Sequence, residues 1–183
     1  MFKLKKVKEK YAGKFLNLFV VTYKDGKHKK KYEVISRNKE PFNKRVNAVG
    51  IIAFNPDKDK ILLQKEFRMA VNDWVYNFPG GLIEETDENA GQAAVRELKE
   101  ETGLHFIQRL DVLPEAYTAV GISDELVETY ILIADGEITK SDSVDEQIEA
   151  KWYTKEEVRD LFKKEAKMSL RTQSFLYLWS KDE

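Results

Sequence analysis

The stretch that decides the fold is Gly81-Leu82-Ile83-Glu84-Glu85-Thr86-Asp87-Glu88-Asn89-Ala90-Gly91-Gln92-Ala93-Ala94-Val95-Arg96-Glu97-Leu98-Lys99-Glu100-Glu101-Thr102-Gly103-Leu104. From about Asp87 to Thr102 it reads as a charged helix that stops at Gly103. With Glu97 set at zero on a helical wheel, Glu101 falls at about 40° and Glu100 at about 300°. Three carboxylates therefore share one face. Ala90, Ala93 and Ala94 lie on that same face, at about 20°, 320° and 60°. A solvated acidic face normally mixes acids with lysines one turn away. Here the neighbours are alanines, which let the helix approach another layer closely. Clustered carboxylates repel one another unless a cation sits among them. Oxygen-only ligands select a hard ion, magnesium or manganese, rather than zinc. Arg96, at about 260°, stands one turn before Glu100 and is placed to steer it.

Pro79-Gly80-Gly81 precedes this helix. Its glycines let the backbone come close to an ion or an anion. The turn supplies backbone oxygen, the helix supplies carboxylates, and the metal belongs between them.

Working outward, the pattern is strands before and after the helix. Phe15–Tyr23 and Lys29–Ile35 are β-rich runs across Asp25-Gly26, a hairpin signal. Val46–Phe54 and Ile61–Phe67 form a second hairpin across Asn55–Asp59. Trp74–Phe78 is ended by the Pro-Gly-Gly turn. Strand candidates follow at His105–Val112, Leu126–Ala134 and Ile148–Tyr153. Thr154-Lys155-Glu156-Glu157 has the spacing of a capping box and predicts a helix to about Lys164. Ser169–Ser180 is a last patterned helix. The sum is an α+β fold of sheet with helices packed on it. The polar connector Ser36–Lys44 separates a small N-terminal antiparallel unit, residues 1–44, from a main domain, 45–183.

Composition narrows the chemistry. The 183 residues are 42% hydrophobic and 34% charged, which suits a folded domain with a heavily charged surface. With no cysteine, a disulfide framework, a thiolate metal site and a cysteine nucleophile are all excluded. The two histidines, His28 and His105, sit in no metal or relay motif. The longest uninterrupted apolar run, Ala48–Phe54, is far short of the roughly 18 residues of a membrane span. A basic start followed by apolar Phe15–Val21 resembles a signal peptide, but Asn17 interrupts it and no small-residue cleavage site follows, so a strand is expected. The expectation is a cytoplasmic protein with no membrane partner. Net charge is −1 overall, but residues 1–31 carry +9 and the remainder −10. A basic arm can bind nucleic acid. No nucleic-acid motif accompanies it, so a solvated hairpin face is the reading and no nucleic-acid partner is expected.

Arg96-Glu97-Leu98-Lys99-Glu100-Glu101-Thr102-Gly103-Leu104 resembles the core of the Nudix box, G-x5-E-x7-R-E-U-x-E-E-x-G-U. One departure stands out. Either Glu88 takes the first acid position with six residues after Gly81, or Asp87 takes it and the spacing to Arg96 grows by one. The likeness extends to Gln64-Lys-Glu-Phe-Arg68, Trp74–Glu84, Gly121-Ile-Ser-Asp-Glu125 and Lys31–Arg37, which are similar to the ADP-ribose pyrophosphatase branch. Ala119-Val120-Gly121 departs from that branch's S-P-G, which leaves GDP-mannose and other nucleotide sugars open.

The resemblance implies a mixed β-sheet sandwiched between helices, with an N-terminal sheet exchanged across a homodimer. It implies metal-dependent hydrolysis of a nucleoside diphosphate sugar, ADP-ribose to AMP and ribose 5-phosphate. By the family pattern Glu97 and Glu101 bind magnesium, Glu100 binds the metal or its water, and the Gly80 carbonyl is a backbone ligand. Glu146, in the loop before Ile148–Tyr153, matches the general base. Arg96 belongs with the catalytic set. Tyr32 is a candidate for stacking on a base, and Arg37, Arg68 and Gly81 for phosphate or ribose. Competing readings are a non-catalytic nucleotide sensor and an enzyme acting on a nucleoside triphosphate or a dinucleotide.

Overall fold

The computed structural model describes residues 1–140 and 147–182. Nine strands and three helices occur among these residues: β1 (Lys3–Ala12), β2 (Asn17–Asp25), β3 (His28–Ser36), β4 (Val46–Phe54), β5 (Lys60–Arg68), β6 (Asp73–Asn77), α1 (Ala90–Thr102), β7 (His105–Tyr117), β8 (Leu126–Asp135), β9 (Ile148–Thr154), α2 (Lys155–Lys163) and α3 (Leu170–Trp179). The chain divides into two compact units, Met1–Ala48 with Glu115–Val127, and Val49–Pro114 with Glu128–Glu183.

In the first unit, β1, β2 and β3 form an antiparallel three-stranded sheet in that order. Its small core is Phe19, Val21 and Val34, with Tyr23 packed against them. Gly26 and Lys27 make the two-residue turn between β2 and β3, closed by the Asp25–His28 pair, and Gly26 takes a φ of +55° there.

A six-stranded sheet runs β6-β5-β4-β8-β7, with β9 also paired to β5. The β4 strand is buried on both faces, and alternate residues serve opposite layers. Val49, Ile51 and Ala53 pack with Ala93, Ala94 and Leu98 of α1. Ile52 packs instead with Val158 and Leu161 of α2 and Leu176 of α3. On β5 the same division places Leu62 on the α1 side, and Ile61 and Leu63 on the α2–α3 side. The sheet is thus a middle layer between helices, as expected. Each fully buried valine, leucine or isoleucine among them contributes about 2 kcal/mol of transfer free energy.

The helix ends follow their sequence signals. Asn89 caps α1 through its side chain, which accepts from Gln92 N, and Gly103 closes it in the left-handed conformation. The helix therefore starts at Ala90, later than the charge pattern suggested, because the Asn89 side chain caps it there. Thr154 and Glu157 form the anticipated capping box of α2. No helix among the described residues is long and apolar enough to cross a membrane.

Candidate active site

The turn between β6 and α1 is built against β4. Val49 N donates to the Gly81 carbonyl at 2.9 Å, and Ile51 N to the Pro79 carbonyl at 2.8 Å. Gly80, between them, has a φ of +150°, and a Cβ there would lie 2.3 Å from the Val49 carbonyl oxygen. Only glycine fits.

The α1 carboxylates meet this turn. Glu101 is buried, and its Oε2 accepts from Gly80 N at 3.0 Å and from Gln64 Nε2 at 2.8 Å. Glu97 lies against Gly81 so closely that a Cβ on Gly81 would sit 2.3 Å from Oε1. Glu100 is half exposed. The alanines behave as their pattern implied, since Ala93 and Ala94 are fully buried and bring α1 close to the sheet.

Arg96 ties the group together. Its Nη1 donates to Glu97 Oε1 and to Glu100 Oε2, each at 2.9 Å. Its Nη2 donates to the Leu82 carbonyl at 2.9 Å, and Nε and Nη2 together grip Asp87. Of the two candidates for the first acid position, Asp87 is the one that Arg96 grips, while the Glu88 backbone N–H donates to Gln92 Oε1. The Arg96 guanidinium holds the Asp87 carboxyl below the usual aspartate value, and Asp87 in turn raises Arg96.

A metal fits this donor set by chemistry. Two carboxylates, Glu97 and Glu101, lie against a glycine turn, which is an oxygen environment for a hard divalent ion. Among the described residues no three acidic or histidine side chains already converge as a metal cluster. In this arrangement Arg96 holds Glu97 and Glu100.

Arg68, at the end of β5, pairs with buried Glu66 at 2.8 Å. In the first unit, Tyr32 donates its hydroxyl to the Gly121 carbonyl, and Arg37 pairs with Glu125. Glu146 lies outside the described residues. A groove of about 600 Å³ runs along Trp74 on β6, Ile138–Lys140, and Gln147–Ala150 at the start of β9. Ile148 pairs with Glu66 across the sheet, one inward position beyond Gln64.

Two residues of this region carry no role in the sequence reading, Gln64 and Glu66. Their signal was parity: on β5 they follow Leu62 at two-residue spacing, so an amide and a carboxylate continue the face that packs on α1.

A profile of the NUDIX domain matches residues 44–173. An ADP-ribose pyrophosphatase of Bacillus subtilis is 31% identical over 123 residues, 66% of this chain and 60% of that protein. A GDP-mannose pyrophosphatase of Cronobacter sakazakii is 29% identical over 117 residues, 61% of this chain and 56% of that protein. The chain thus spans less than two thirds of either relative. The fold also resembles a crystal structure described as an ADP compounds hydrolase, with a TM-score of 0.70 at 20% identity, covering 88% of this chain and 83% of that one.

Proposed function

Because this chain belongs to the NUDIX domain family, we propose that it is a divalent-metal-dependent pyrophosphohydrolase acting on a nucleoside diphosphate sugar, with ADP-ribose the first choice. The observation that supports this most is the placing of Glu97 and Glu101 against the two glycines of one turn. Magnesium, or manganese in its place, supplies charge neutralisation of the pyrophosphate and activation of water. Glu97, Glu101 and the Gly80 carbonyl would hold the ion, and Glu100 would bind the ion or its water. Arg96 orients Glu97 and Glu100, and Asp87 orients Arg96.

Gly81 gives the substrate close access to the backbone. The groove beside Trp74 has room for a nucleotide-sized ligand. Arg68 is assigned to phosphate or ribose, Arg37 to the same class of contact, and Tyr32 to the base. Glu146 is assigned as the base that accepts the proton of the attacking water, the role a carboxylate within about 3 Å of that water performs. Residues 1–44 act as the dimerisation arm of a homodimer, and 45–183 as the hydrolase domain. The setting is the cytoplasm.

GDP-mannose is the second reading, favoured by the C. sakazakii relative and by Ala119-Val120-Gly121. A panel of ADP-ribose, GDP-mannose, other nucleotide sugars, dinucleotides and triphosphates, each with magnesium, decides. AMP and ribose 5-phosphate from ADP-ribose are the expected products. Inorganic pyrophosphate from a triphosphate would displace this assignment. Binding without turnover of any compound would make the chain a nucleotide sensor.

A further inference from the structure

We propose that Gln64 is the positioning residue for Glu101, holding its carboxylate in place at the metal site. The inference rests on the metal-site reading above and adds to it a residue from the sheet.

Gln64 is 1% exposed at the centre of β5, on the face that carries Leu62 into the α1 core. An uncharged amide at such a position is costly to bury unless it is hydrogen-bonded. Its Nε2 donates to Glu101 Oε2 at 2.8 Å. The orientation of the amide follows from its partner, because an ionised carboxylate only accepts. The same Oε2 also accepts from Gly80 N at 3.0 Å. One oxygen of Glu101 is therefore engaged by two protein donors, one from β5 and one from the glycine turn.

The consequence is geometric. A carboxylate rotates freely about its last bond unless something fixes it. Two donors on Oε2, from two separate elements, fix the carboxylate before any ion arrives. Partners that orient a metal ligand in this way typically change metal affinity by roughly 10- to 100-fold when removed.

The test is manganese binding to the full chain, followed by the electron paramagnetic resonance signal of free Mn²⁺, in Gln64→Met, Glu101→Gln and the parent. Gln64→Met keeps length and burial but removes the donor. Gln64→Val, with the β-branched shape that suits a strand, is the second variant should Met disturb packing. The expected result is Mn²⁺ binding about tenfold weaker or worse in the Gln64 variants, with melting temperature unchanged or raised. In the pyrophosphatase assay the loss shows as a higher metal concentration for half-activation. Parental Mn²⁺ affinity in both Gln64 variants, alongside weakened binding in Glu101→Gln, overturns the positioning role and leaves the metal site standing. Parental affinity in Glu101→Gln as well overturns both readings.

Discussion

Asp87 and Arg96 are joined by a two-pronged contact, Nε to Oδ1 at 3.1 Å and Nη2 to Oδ2 at 2.9 Å, with the Asp87 side chain only 5% exposed. This pair fixes the guanidinium whose other nitrogen holds Glu97 and Glu100. Replacing Asp87 by Asn removes the charge partner of Arg96 and is expected to cost about 2 kcal/mol at neutral pH. Glu88→Gln, one residue on, should stay within about 0.5 kcal/mol. Thermal melts of the two variants distinguish the two ways of aligning the box.

The same pair sets an acid limb. Arg96 depresses the native Asp87 carboxyl below its ordinary value of 3.8, so the native state holds the ionised form more tightly than the unfolded chain does. The resulting stabilisation is complete above the unfolded value and is lost as pH falls through the native one. The gap in melting temperature between the parent and Asp87→Asn should therefore be constant from pH 7 down to about 5 and close below about 4. A gap that stays constant down to pH 3 would show that the ion pair contributes nothing to folding.

Adjacent glycines should respond in different ways. A Cβ on Gly80 meets the Val49 backbone, which cannot move without breaking β4, and it also requires a strained φ of +150°. Gly80→Ala is expected to destabilise the fold by about 3 kcal/mol. The three atoms nearest a Cβ on Gly81 all belong to the carboxylate of Glu97, the far end of a flexible side chain. Gly81→Ala should melt within a few degrees of the parent yet lose roughly 100-fold in turnover, because Glu97 is pushed from the turn. Melting curves and rates measured on the same two preparations check this.

Most of this layout was legible in the sequence because its signals are local. The β4 strand, from Val46 to Phe54, reads directly from the apolar run Ala48–Phe54, which lies between Asn47 and Asn55. Thr154 to Glu157 announces α2 by a hydrogen-bonding pattern contained within four residues. Strand β1 was not legible. Lys3–Ala12 is fully exposed and carries five lysines, so its alternation is drowned by charge, and it exists as a strand through pairing to β2. Strand β7 runs on through Pro114 to Tyr117, well past Val112, because an edge strand tolerates proline. The site was legible as carboxylates on a helix face. It was not legible that Gln64, on a strand far away in sequence, holds one of them, since only the packing of α1 on β5 brings the two together.

The α2 capping box should behave as a self-contained unit. Thr154 Oγ1 accepts from Glu157 N at 3.2 Å, and Glu157 Oε2 accepts from Thr154 N at 2.9 Å. Lys151 and the Thr154 backbone both hold the Glu157 carboxyl below its ordinary value. Thr154→Ala is expected to cost about 1 kcal/mol without altering turnover, as read by urea unfolding and by rate. A large change in rate at unchanged stability would mean that α2 touches substrate.

Tyr32 separates two roles that share one ring. It stands 41% exposed on β3 with Lys30 Nζ 5.9 Å from the ring centroid, while its hydroxyl donates to the Gly121 carbonyl. Stacking on a base needs the ring and not the hydroxyl, whereas tethering residues near Gly121 needs the hydroxyl. A base stacked on an aromatic side chain is worth about 1–3 kcal/mol, so its loss raises KM by roughly tenfold or more. Tyr32→Phe should therefore keep KM within about twofold and Tyr32→Ala should raise it about tenfold. Equal increases in both variants would assign Tyr32 to holding the Gly121 loop, and the base would then have to be recognised by another side chain.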